Sequence, residues 1–310
     1  MTPPATAADE MPVFFDADGD ALFGVWTRPT GDPNGTAVLL LSGAGRAGGG
    51  VPSPGRNRIW VRLARSLAAH GFAALRMDYS GIGESTGANT DVDLASPLAD
   101  EVTAAVRWLR AQGADNVVLV GTCFGGRSAL AAAPQLDEVS GVALLGSPLL
   151  DFKKGARLEH VPLSWYARKS VTPSVLRGLW HAERRRTYAR VGWKKVRRVV
   201  RHNGAGRAAE FKWVSPHFVR HLDALVQRRV PVLLVYGPDD PYYEDLCRAR
   251  EGALGPVFDR GNGVIELDLV EGRVHGLTTV AVQEAAAAST TRWLLDLAGR
   301  RREPAEGIAS

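Results

Sequence analysis

The stretch VVLVGTCFGGRSALAAA, Val117 to Ala133, decides how the rest of the chain is read. Val117–Val120 is an apolar run without polar alternation, as expected of a strand covered on both faces. The small residues after Gly125 suit a closely packed helix. Between them stands Gly121-Thr122-Cys123-Phe124-Gly125, a glycine-framed turn with a nucleophile type at its centre. The reason for this pattern is steric. A residue held in a strained corner between strand and helix presents its side chain above the sheet, and glycines on either side let neighbouring backbone approach. In that setting the Cys123 sulfur points outward, and the Phe124 N–H, at the helix N-terminus, is placed to donate to an oxyanion.

Working outward, similar short apolar segments recur at Val38–Leu41, Ala73–Met77, Val142–Leu145, Val232–Tyr236 and Val264–Val270. Helical stripes lie between them. Trp60, Leu63, Ala64, Leu67 and Ala68 share one face and end at Gly71, and Val102, Ala105, Val106 and Leu109 share another and end at Gly113. Val280–Leu297 reads as a closing helix with Trp293 and Leu294 turned inward. VFFDADGDALFGVWTRP, from Val13, reads as a hairpin turning near Asp18–Gly19, which adds antiparallel strands at one edge. The fold class is α/β, a mostly parallel sheet flanked by helices.

A thiol nucleophile needs a base and a group to orient it, and both are found after later strands. PVLLVYGPDDPYYEDL, from Pro231, ends a strand at Gly237 and follows it with Asp239 and Asp240; GVIELDLVEG is followed by His275. Strand ends of one parallel sheet share an edge, so these groups can converge with Cys123 despite their distance in sequence. A thiol of pKa about 8.5 carries little thiolate at neutral pH, and a neighbouring imidazole raises that fraction or takes the proton during attack. A carboxylate behind the ring holds its tautomer and supports the imidazolium. His275 is the base, and Asp240 is preferred to Asp239 as the orienting acid.

Charge is unevenly distributed along the 310 residues. From Asp151 to Arg229 there are 20 Lys or Arg against 5 Asp or Glu, so this segment holds +15 of a chain whose net charge is +5. Arg184–Arg201 alone has nine basic residues and no acid. The expected organisation is a first core segment at 11–150, a basic helical lid inserted at 151–229, a second core segment at 230–298 and a mobile tail at 299–310. The composition, 45% hydrophobic and 23% charged, fits a soluble globular chain. No apolar run approaches the roughly 18 residues of a membrane span and the N-terminus lacks the pattern of a signal peptide, so a cytoplasmic location is expected. Cys123 and Cys247 stand far apart and suggest neither a disulfide framework nor a metal site.

Taken together, these motifs resemble the α/β-hydrolase superfamily over nearly the whole chain. The resemblance implies a hydrolase core with an inserted helical lid, and a triad of Cys123, His275 and Asp240, the last through the pattern Gly237-Pro238-Asp239-Asp240. It implies a second oxyanion donor at the Ala44 N–H, within LLLSGAGRAG, where Ser42-Gly43 replaces the family's His-Gly pair. The D-x-x-G-x-G-x-S loop of the family is matched by Asp78, Gly81, Gly83 and Ser85. Cysteine replaces the common serine at the elbow, as it also does in dienelactone hydrolases and polyhydroxyalkanoate synthases.

The expected activity is ester or acyl-thioester processing through an acyl-cysteine, as a thioesterase, acyltransferase or cyclase. Hydrolysis of a small ester, lactone or amide is the alternative, and a non-catalytic binding protein on the same fold is a third reading. Ser42, Arg127, Trp193 and Tyr242 are candidates for lining the substrate pocket or lid, although a structural salt bridge is the better reading of Arg127. No permanently bound cofactor is expected; coenzyme A or phosphopantetheine would enter as part of the substrate. A cationic lid would attract acyl-CoA or an acidic acyl-carrier protein, whereas no nucleic-acid-binding module is recognisable.

Overall fold

The computed structural model describes residues 9–43, 50–88, 93–151 and 214–302, the side chains of the last two residues excepted. The chain divides into two compact units, one of Met1–Asp151 with Trp213–Ser310, the other of Phe152–Lys212. The second unit lies wholly outside the described residues, and so does the greater part of the expected lid, including Trp193 and Arg184–Arg201.

The first unit is built on an eight-stranded sheet: β1 (Glu10–Ala17), β2 (Asp20–Thr27), β3 (Thr36–Leu41), β4 (Ala73–Met77), β5 (Asn116–Thr122), β6 (Val139–Leu145), β7 (Val232–Tyr236) and β8 (Ile265–Leu269). Their spatial order is β1-β2-β4-β3-β5-β6-β7-β8. β3 to β8 run parallel, and β2 joins β4 antiparallel. The β1–β2 hairpin turns at Asp18 and Gly19, both at positive φ (54° and 93°), the geometry a two-residue turn requires.

The described helices are α1 (Ile59–Ala69), α2 (Ala99–Ala111), α3 (Phe124–Ala132), α4 (Pro216–Gln227), α5 (Pro241–Arg250), α6 (Gly255–Arg260) and α7 (Val280–Arg302). The stripes of α1 and α7 bury Trp60, Leu63, Leu67, Trp293 and Leu294 against Val38, Leu40, Val118, Val120 and Val235 of the sheet. α3 lies along β5 and packs against both α2 and α4, and α2 also packs on β1. Burial of each large apolar side chain is worth about 1.5–3 kcal/mol, so these two layers hold the central strands in place.

Two boundaries differ from the sequence expectation. α4 falls inside the stretch assigned to the insertion, yet it belongs to the same unit as the sheet and buries Phe218, Leu222, Leu225 and Val226. Its apolar face was hidden in the sequence by the basic residues around it. Ser215 caps it, its Oγ accepting the His217 N–H at 3.1 Å, and Pro216 fits the first turn. The closing helix runs on to Arg302, where a tail from 299 was expected. No helix among the described residues is long and apolar enough to cross a membrane.

Candidate active site

The elbow forms where β5 runs into α3. Cys123 has φ 51° and ψ −113°, a positive φ that β-carbon crowding makes costly for a non-glycine residue. Its environment enforces that conformation. The Cys123 N–H donates to Leu145 O at 3.2 Å, the Thr122 hydroxyl donates to the same oxygen at 3.0 Å, and the Arg127 N–H donates to Cys123 O at 3.3 Å. The flanking glycines are needed for space. A β-carbon on Gly121 would meet the Gly125 carbonyl and the Gly126 nitrogen at 2.5 Å, and one on Gly125 would collide with the backbone oxygens of Leu41 and Ser42.

Cys123 is partly exposed and lines a cleft of about 840 Å³ together with Ser42, Gly43, Thr122 and His275. Phe124 occupies the first position of α3, where backbone N–H groups have no acceptor within the helix. Its ring is buried and packs edge-on against Tyr79, with centroids 5.8 Å apart. Gly43 lies close to the thiol, since a β-carbon there would stand 3.1 Å from Cys123 Cβ. Ala44 lies outside the described residues. Ser42 is buried on the cleft wall, and its hydroxyl has no hydrogen-bond partner among the described residues.

His275 and Asp240 meet at the ends of β8 and β7. Asp240 is 2% exposed and Asp239 faces solvent, which separates the two carboxylates that the sequence left adjacent. Asp240 Oδ2 accepts the backbone N–H of His275 at 2.6 Å. This charge-assisted bond anchors the histidine loop. Tyr242 is buried behind the ring, in an edge-on contact with centroids 4.5 Å apart; it is not among the residues of the cleft wall. Gly146, at φ 54°, admits the loop: a β-carbon there would press on the His275 backbone nitrogen at 2.7 Å.

Arg127 does not line the cleft, which corrects its place among the pocket candidates. It is 3% exposed and pairs with Asp151, and its guanidinium also donates to Leu94 O at 3.1 Å and Pro148 O at 3.3 Å. Burial pulls its pKa down, and Asp151 opposes the shift. Breaking a buried pair costs about 3–5 kcal/mol, and the partial exposure of Asp151 reduces this. Arg127→Met is therefore expected to destabilise the protein by about 2–3 kcal/mol in urea unfolding, and an unchanged midpoint would refute the structural role.

Asp78 also acts within its loop. Ser53 N–H donates to its Oδ1, and its backbone oxygen accepts the Ser85 hydroxyl at 2.8 Å, which in turn accepts the Phe23 N–H at 2.8 Å. Burial pushes the Asp78 carboxyl up. Sequence reasoning missed Arg56 and Arg273, which also line the cleft. Neither belongs to a motif, and only the approach of their loops puts them at one site. A larger groove of about 1020 Å³, beside the β1–β2 hairpin and α2, is lined by neither cysteine nor histidine. Among the described residues no set of three His, Cys, Asp or Glu is grouped to hold a metal ion.

A nucleophile type on a strand-to-helix corner, with a histidine and a buried acid after later parallel strands, defines the hydrolase class of α/β fold. The chain belongs to the alpha/beta hydrolase family, whose sequence model matches residues 38–268. The structure is similar to that of a Pyrococcus furiosus esterase, with a TM-score of 0.58, 16% identity and 94% of each chain covered. It is also similar to a proline iminopeptidase from Mycobacterium smegmatis, with a TM-score of 0.55, 16% identity and coverage of 94% of this chain and 100% of that one. A lidless α/β serine hydrolase from Xanthomonas campestris gives 0.52, with 15% identity over 96% of this chain and 97% of the other. At such identities the likeness is one of fold. Comparison with curated proteins finds no match.

Proposed function

We propose that the protein processes esters or thioesters through an acyl intermediate on Cys123, with His275 as the base and Asp240 as the group that positions it. The observation that carries this reading is that Cys123 and His275 line one cleft while the buried Asp240 accepts the backbone N–H of His275. In the first step His275 takes the thiol proton and the sulfur attacks the carbonyl carbon. The oxygen becomes an oxyanion facing the N-terminus of α3, where the Phe124 N–H stabilises it. The carbon–oxygen or carbon–sulfur bond then breaks, and His275 returns the proton to the leaving alcohol or thiol. The thioester left on Cys123 stays activated, so an alcohol, amine or thiol competes with water to discharge it. Coenzyme A or an acidic carrier protein is the donor that the basic stretch Arg184–Arg201 favours on charge grounds.

Intact-mass analysis after mixing with short acyl-pantetheine or aryl esters tests the reading. A single adduct on the Cys123 peptide is expected, discharged by water or by an added nucleophile. His275→Ala should prevent its formation, and Asp240→Ala should slow it by about 10²-fold or more. A folded protein that never acylates at Cys123 would overturn the proposal.

A further inference from the structure

We infer that the cleft above Cys123 takes a substrate bearing a carboxylate or phosphate a few bonds from the scissile carbonyl, held between Arg56 and Arg273. The inference rests on the reading of Cys123 as the acylated residue and adds the chemical class of what acylates it. Arg56 and Arg273 both line the cleft, and among the described residues no Asp or Glu does. Both are exposed, and among the described residues neither forms an ion pair. Other arginines of the unit pair with acids, as Arg62 does with Glu284 and Arg127 with Asp151, and those that do not, such as Arg58 and Arg107, lie outside the cleft wall. Two unneutralised guanidiniums on one small concavity favour an anionic occupant, and their planar forks match the oxygens of a carboxylate or phosphate.

The spacing of the pair is built into the fold. Arg56 opens the short helical turn before α1, and Arg273 lies two residues before His275. Gln283 of α7, wholly buried, bonds to both segments. Its Nε2 donates to Arg56 O at 3.2 Å and to Leu277 O at 2.8 Å, while its Oε1 accepts Arg62 Nη2 at 2.7 Å. The same segments contain non-glycine residues at positive φ, Asn57 (52°), Arg58 (57°) and Leu277 (43°), which persist only where surrounding contacts hold them. Ser53, three residues before Arg56, is held in turn by Asp78. The two arginine-bearing loops are thus tied to each other and to the core before any substrate arrives, which lowers the ordering cost of binding.

Size limits where the charge can sit. A cleft of about 840 Å³ is on the order of 10 Å across, shorter than a phosphopantetheine arm. Arg56, Arg273 and Cys123 line the same concavity, so an anion held by the guanidiniums lies on the reacting portion of the substrate, as in a half-ester of a short dicarboxylic acid or its phosphate counterpart.

Binding of methyl pentanoate, monomethyl glutarate and methyl 4-phosphonooxybutanoate to the Cys123→Ala protein, followed by calorimetry, tests this without requiring turnover. At least one of the two anionic esters should bind tenfold or more tightly than the neutral one, and the stronger of them identifies the anion. That advantage should shrink at raised salt and fall at least fivefold in Arg56→Gln and in Arg273→Gln, with Arg→Lys restoring part of it. Melting curves of each variant verify folding. Equal binding of all three esters, or an advantage that survives both substitutions, overturns the inference. Because no bond is broken in this assay, an anion preference without acylation of the parent protein would sink only the acyl-cysteine reading, and acylation without the preference would sink only the arginine pair.

Discussion

Cys123→Ala is expected to yield a folded protein that forms no acyl adduct and turns over esters at least about 10⁴-fold more slowly. The size of the loss follows from what is removed. In the proposed mechanism the sulfur is the atom that becomes acylated, and among the described residues no second nucleophile of the cleft occupies a strand-to-helix corner; the hydroxyl of Ser42 is buried and follows β3. What remains is binding and the N–H groups at the start of α3, which alone give only modest rate enhancement over water. Alanine inherits the positive φ of Cys123, 51°, with a β-carbon of the same size, so folding should change little. Stopped-flow assay for a burst of released alcohol, alongside a thermal melt, separates chemistry from stability. A variant that keeps its burst would show that another residue carries the acyl group.

Gly125→Ala is expected to cost about 3 kcal/mol or more in stability, because the elbow has no room for a methyl group. The added carbon would collide with the carbonyl oxygens of Leu41 and Ser42, which belong to a central strand and its continuation. A flexible side chain could rotate away from such a contact; backbone oxygens anchored in a parallel sheet cannot. Relief requires α3 to lift from β3, which would also move Phe124 and the thiol. At the usual size scaling the melting temperature should fall by roughly 5–10 °C. Gly299→Ala is the matched control, since nothing lies within 4 Å of the added carbon there and alanine suits a helix. If both variants melted at the parent temperature, the crowding assigned to the elbow would be wrong.

Much of the core was legible in the chain because periodicity reports burial. Val117–Val120 and Val232–Tyr236 are strands whose side chains are all buried, and apolar runs without alternation announce that. The stripe of α1 and the glycine that ends it were equally plain. The basic segment was harder. Phe218, Leu222, Leu225 and Val226 make α4 a core helix, but the charged residues around it joined it in the sequence to the insertion. Spacing favoured Asp240 over its neighbour Asp239 without showing which way the turn faces; burial and the bond to His275 N–H separate the two.

The sequence by itself determined the α/β class, the strand-to-helix corner at Cys123 and the later positions of Asp240 and His275, because those depend on local periodicity and on residue types with few structural substitutes. Only the tertiary structure decided that Arg127 turns inward to Asp151 while Arg56 and Arg273 share a cleft wall. An arginine's role depends on which acids or cavities the fold brings within reach of its long side chain, and that distance is set by loops packing across the sheet, not by neighbours along the chain.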